Sequence, residues 1–211
     1  MSFADNEDEE HDTSLAAAVK GDQVEHVANI VDGQGVPHAG DLLSLALTHS
    51  PDGEMVATLL RAKASTRTRK GQDPYLFKCL ATESADIKVK VLLAAGADPN
   101  ELGSRGQTIF EELFLAAPHN SGDIVLDLLT HGADPNITGQ SGNTPVFALF
   151  ANTDVNKNWA VKAFEHLVDF GARCTEDGRS VKELLKEELA TRGAGFRAAF
   201  KKYTACLNNC T

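Results

Sequence analysis

Apolar residues along this chain recur in pairs about one helical turn apart, the spacing that lines one face of a helix. Ile124 and Val125 precede Leu128 and Leu129, and Met55 and Val56 precede Leu59 and Leu60. Ala163 and Phe164 precede Leu167 and Val168, and His26 and Val27 precede Ile30 and Val31. Each block predicts a helix that ends at Gly or a small residue, where a left-handed closing turn forms most easily. The closing positions are Lys63, Gly96, Gly132 and Gly171, separated by 33, 36 and 39 residues. A period in this range predicts stacked structural repeats rather than one irregular core. Pro99 and Pro135 follow two of the glycines, and neither helix can run through them.

A second start signal follows two of the closing turns, about eight residues after Asn100 and Asn136. Thr108 stands in Gly106-Gln-Thr-Ile-Phe and Thr144 in Gly142-Asn-Thr-Pro-Val. A Thr N-cap followed by Pro145 at the first helical position predicts a helix start there. The repeating unit therefore reads as turn, short helix, turn, longer helix, extended loop. Six units are expected, spanning residues 12–40, 41–72, 73–107, 108–143, 144–179 and 180–211. Together they form one domain over 12–211 behind an acidic tail, 1–11. The unit at Thr144 carries an insertion, Asn152–Asn158. In the last unit Phe196, Phe200, Tyr203 and Leu207 fall on one helical stripe, with Lys201, Lys202, Asn208 and Asn209 off it. A terminal helix with one polar face would cap a stack that must stop growing. The fold class expected is an all-α solenoid of about six helix-turn-helix units joined by hairpin loops, with a C-terminal capping helix.

The chain resembles the ankyrin repeat family, whose unit opens Gly-x-Thr-Pro-Leu-His-x-Ala and closes Leu-Leu-x-x-Gly-Ala-Asp-x-Asn. Gly142, Thr144 and Pro145 match the opening, and Leu92–Asn100 and Leu128–Asn136 match the closing. Phe147, Glu111 and Leu15 stand where the family has His. The resemblance implies a rigid frame that binds other proteins through its hairpin tips and the exposed face of its first helices. Carried over by position, the tip residues are Arg69, Lys70 and Gln72; then Ser104, Arg105 and Gln107; then Gln140, Ser141 and Asn143; then Glu176, Asp177 and Arg179. The first-helix positions include Thr48, His49, Leu115, Ala116, Ala151 and Asn152. Trp159, the single tryptophan, follows the insertion. It reads as core by its size, or as an interface anchor by its place. Asn100 and Asn136 are expected to hold their hairpin turns with their side chains.

Composition narrows the function. Hydrophobic residues make up 42% of the 211 and aromatics only 6%, which suits a core of Leu, Val and Ala on thin helices. The net charge of −10 argues against nucleic acid and anionic membrane, which require basic surface. No apolar run approaches the roughly 20 residues of a membrane span. The N-terminus, MSFADNEDEEHD, lacks the basic-then-apolar order of a leader. Cys79, Cys174, Cys206 and Cys210 are scattered, so free thiols in a cytoplasmic or nuclear setting are expected. Gly139–Thr144 is glycine-rich but lacks the Lys of a phosphate loop. The seven His are dispersed, with no ligand spacing. No enzyme activity, cofactor or metal is therefore expected.

The function expected is a protein-interaction module, acting as scaffold, inhibitor or escort and monomeric when alone. The alternatives are a regulatory subunit of an enzyme assembly, or a chaperone holding a basic client on the acidic surface. Arg67, Arg69, Lys70 and Arg105 gather on the tips of consecutive units, which would suit an acidic or phosphorylated segment of the partner. The tail would suit a basic one.

Overall fold

The computed structural model describes residues 15–34, 39–68, 71–116, 121–152, 158–176, 179–183 and 186. The tail 1–11, the body of the insertion, the capping helix, Cys206 and Cys210 lie outside them. The chain divides into two compact units, one ending at Ala97 and one beginning at Asp98.

The first unit holds α1 (15–20), α2 (Val24–Gln34), α3 (Ala39–His49), α4 (Glu54–Arg61), α5 (Tyr75–Leu80) and α6 (Ala85–Ala94). In one layer α2 packs on α4 and α4 on α6, and in the other α3 packs on α5. Most of the predicted paired positions form the seam; of the first pair Val27 is buried and His26 is exposed. Met55, Val56, Leu59, Leu43, Leu47, Val89 and Leu92 are fully buried. The turn closing α4 is a Schellman motif. The Lys63 N–H donates to Leu60 O and the Ala64 N–H to Leu59 O, both at 3.0 Å. It requires a left-handed residue, and here that residue is Lys63, at φ +66°.

The second unit holds α7 (Ile109–Ala116), α8 (Ser121–Thr130), α9 (Pro145–Asn152) and α10 (Asn158–Asp169). The first helices α7 and α9 pack together, as do the second helices α8 and α10. Ile124, Val125 and Leu128 are fully buried. A Cβ on Gly122 would stand 3.1 Å from the Trp159 carbonyl oxygen, so the bare backbone there is what lets α10 approach α8. The interior is aromatic. Phe114 lies 6.2 Å from Phe110 and stacks on Trp159 at 6.3 Å, while Phe150 meets Phe164 edge-on at 5.7 Å. The Trp159 ring is half-buried in that stack. Beyond α10, Thr175–Glu176 (β1) pairs antiparallel with Arg179–Ser180 (β2), the one strand pair among the described residues. The fold is all-α apart from this hairpin, as the periodicity predicts.

The closing asparagines act differently from the expectation. Their own turns are held by Asp98 and Asp134, whose Oδ1 atoms accept from the Asn100 and Asn136 N–H groups at 2.9 and 2.8 Å. The asparagine side chains reach one repeat further. Asn100 Nδ2 donates to Gly132 O at 2.9 Å, and its Oδ1 accepts from the Asp134 N–H at 2.8 Å. Asn136 Nδ2 donates to Gly171 O at 3.0 Å, and its Oδ1 accepts from the Arg173 N–H at 2.7 Å. A primary amide has both a donor and an acceptor, so one side chain can satisfy both groups of the next turn.

One core position breaks the apolar rule. Eight residues before each left-handed turn residue stand Met55, Lys88, Ile124 and Ala163. Lys88 is as buried as the others, at 1% exposure. Its Nζ donates to Leu47 O at 2.9 Å and to Thr82 Oγ1 at 3.2 Å. Leu47 lies in the last turn of α3, where carbonyls lack helical partners, so Lys88 caps that helix from inside the core. Loss of hydration lowers the Lys88 pKa from its usual 10.5, with nearby Cys79 the largest opposing influence.

Candidate partner-binding groove

Local hydrogen bonds build a groove on the second unit. The hairpin Gly103–Gln107 is closed by the Gly103 N–H donating to Gln107 O at 2.9 Å. The chain then enters α7 through a capping box. The Thr108 N–H donates to Glu111 Oε2 at 2.7 Å, and the Glu111 N–H donates to Thr108 Oγ1 at 3.2 Å. Glu111 also accepts a short hydrogen bond from Ser141 Oγ. The Gln140 N–H donates to Gly106 O at 2.8 Å. The second hairpin is thus tied to the first hairpin and to α7. In this arrangement the carboxylate does the joining where the ankyrin unit has a His.

Between these elements lies a groove of about 390 Å³. Arg105 and Gln107 line it from one hairpin, Gln140 and Ser141 from the next, and Glu111, Glu112 and Leu115 from α7. Leu115 is 64% exposed. Arg105 is anchored at both ends. Its N–H donates to Gln107 Oε1 at 3.0 Å, and its guanidinium meets Glu112 Oε2 at 3.1 Å.

Five of the predicted contact residues therefore share one groove: Arg105, Gln107, Leu115, Gln140 and Ser141. Ser104 and Asn143 sit exposed and half-buried on the same hairpins without lining it. Asn152 closes α9, and Trp159 is stacked on Phe114. In the first unit Gln72, Thr48 and His49 are exposed. Thr48 Oγ1 donates to Leu45 O at 2.9 Å, and His49 Nδ1 lies 3.0 Å from the same carbonyl, so both polar groups are turned back on α3. Arg69, Lys70 and Asp177 lie outside the described residues.

The basic tip cluster is altered by one contact. Arg105 is not a free positive charge, because Glu112 neutralises it. Glu111 and Glu112 are the groove residues that the sequence reading missed. For Glu111 a signal was present, since Thr108-x-x-Glu111 is the capping-box pattern. The Arg105–Glu112 pairing runs through the hairpin and follows no fixed helical spacing.

Elsewhere, burial pushes the Cys79 thiol up to about 12, which makes this free cysteine a poor nucleophile. Cys174 corrects the expectation of free thiols, since it is disulfide-bonded. Among the described residues no cluster of three or more His, Cys, Asp or Glu could hold a metal ion. No helix among them is long and apolar enough to cross a membrane.

This geometry defines an ankyrin-like fold. No protein-family model and no curated protein matches the chain. Among solved structures 32 chains match. One is the crystal structure of an ankyrin repeat domain from Acinetobacter baumannii AYE. It aligns with a TM-score of 0.70 at 19% identity, covering 92% of this chain and 97% of that one.

Proposed function

We propose that this chain is a non-catalytic protein-interaction module, a scaffold, inhibitor or escort, that binds a partner protein through its hairpin tips and first-helix face. The observation that carries this reading is the groove of the second unit, where two hairpins and α7 are fixed to one another beside an exposed Leu115. A surface held in place before binding loses little entropy on association. The reading takes residues 12–211 as one repeat domain, monomeric alone, needing no cofactor, and working in the cytoplasm or nucleus. The Cys174 disulfide favours instead an oxidising compartment, and fractionation of native cells decides between the two. The net charge of −10 supports a second reading, an escort of a basic client held on the acidic surface. A regulatory subunit would use the same groove with catalysis in another chain.

Crosslinking capture from native lysate tests the proposal. A Leu115→Arg, Gln140→Trp double variant of the full chain should lose the client, while deletion of residues 1–11 should keep it. The reverse outcome transfers binding to the tail and replaces the groove reading with the escort.

A further inference from the structure

The groove is asymmetric in charge. Its α7 wall carries Glu111 and Glu112 against one cation, Arg105. The neighbouring hairpin Gly139–Asn143 and α9, PVFALFAN, carry no charged residue. Both Glu111 oxygens are taken, by the Thr108 N–H and by Ser141 Oγ. Glu112 meets Arg105 through Oε2 alone, which leaves Oε1 without a partner among the described residues. The Arg105 side chain is 69% exposed and that of Glu112 is 26% exposed. Because Arg105 engages one Glu112 oxygen, an incoming cation can take the other from the solvent side while the pair stays in place. Gln107 spends its Oε1 on the Arg105 N–H, which leaves its NH₂ group to donate to a carbonyl. The Gln140 side chain adds a second amide beside it, and such a rim matches the alternating donors and acceptors of an extended main chain. Leu115, at 64% exposed, offers the apolar contact.

We infer that this groove takes an extended segment of the partner bearing a cationic side chain next to an apolar one, with the cation on Glu112 and the apolar group on Leu115. The inference rests on the groove reading above and names the chemistry of its occupant. It differs from the expectation of an acidic segment because Arg105 is already paired.

Three fluorescein-labelled decapeptides test it against the full chain. They share a central Leu and differ only in the flanking residues: Arg, Glu or Ser. At low salt the Arg-flanked peptide should bind at least about tenfold more tightly than the Glu-flanked one, a difference of about 1.4 kcal/mol. The margin should shrink as salt screens the charge. Glu112→Gln should bring the Arg-flanked peptide close to the Ser-flanked one, and Leu115→Ser should weaken all three alike. Leu115 is exposed and Glu112 is half-buried, and an unchanged far-ultraviolet spectrum confirms that the variants fold. Equal or tighter binding of the Glu-flanked peptide overturns the inference, as does a preference that survives Glu112→Gln. If no peptide binds while the double variant still loses the client, this inference falls and the groove reading stands. If the client ignores the double variant, both fall.

Discussion

The turn closing α4 and the turn closing α8 make the same pair of backbone hydrogen bonds with different residues. In the first unit Lys63 occupies the left-handed position at φ +66°, and in the second Gly132 does so at +91°. Four residues further on stand Arg67 and Asn136. Asn136 clamps the next turn with two hydrogen bonds. At Arg67 the local contact is its own N–H donating to Ser65 Oγ at 3.1 Å. Inside the helices the contrast repeats, with Lys88 in the first unit where Ile124 stands in the second. The fold is set by the apolar layer and the helix ends, and it accepts costly residues between them. The first unit carries those costs, while the second carries the clamps and, with them, the groove. A surface that must meet a partner without reordering belongs on the better-fastened frame.

Substitutions can break this contrast, beginning with the apolar layer. Leu128→Ala should destabilise by roughly 2–5 kcal/mol, because Leu128 is fully buried. A shift in urea midpoint equivalent to under about 0.5 kcal/mol would remove Leu128 from the core. The clamp comes next. Asn136→Ala leaves the exposed Gly171 carbonyl and Arg173 N–H to water, at a cost of about 0.5–1.5 kcal/mol for each hydrogen bond lost. Chemical denaturation of the variant measures it, and no loss would make the clamp ornamental.

The lysine of the first unit predicts a pH effect. Its folded pKa is lowered from 10.5, so as pH rises the folded chain sheds this proton before the unfolded chain does. In that window the unfolded state binds more protons, and stability therefore rises with pH. Below the window both states are protonated and the contribution is at its lowest. The stability of wild type relative to Lys88→Met should climb as pH rises through the lowered value toward 10.5. A difference independent of pH would mean that burial does not perturb the group. The smallest effect belongs to the turn. Lys63→Gly should stabilise by up to about 1 kcal/mol, since a left-handed conformation is unfavourable for residues with a Cβ. Thermal melts of the pair check the sign.

Much of this contrast was legible in the chain. The period placed the four closing turns, and the paired apolar residues marked Met55, Ile124 and Ala163 as core. Lys88 was legible only as a gap, since the pair before Leu92 and Leu93 is Lys88-Val89 where α4, α8 and α10 have two apolar residues. Its cause, the Leu47 carbonyl, lies 41 residues away, and no local pattern encodes it. Asn100 and Asn136 were visible as closing residues, but their reach across a repeat depends on how the turns stack. Arg105 read as free charge because its partner Glu112 is fixed by the fold of the hairpin.

Hydrogen exchange at three equivalent amides tests the contrast most directly. The Ala64, Ala133 and Ala172 N–H groups each close a turn, onto Leu59, Leu128 and Leu167 at 3.0, 3.0 and 2.9 Å. Equal bonds should exchange unequally if the frames around them differ. The clamped amides of Ala133 and Ala172 should exchange more slowly than that of Ala64, and Asn136→Ala should remove the advantage at Ala172. Protection at Ala64 equal to or greater than that at both would contradict the claim that the second unit is the better-fastened frame.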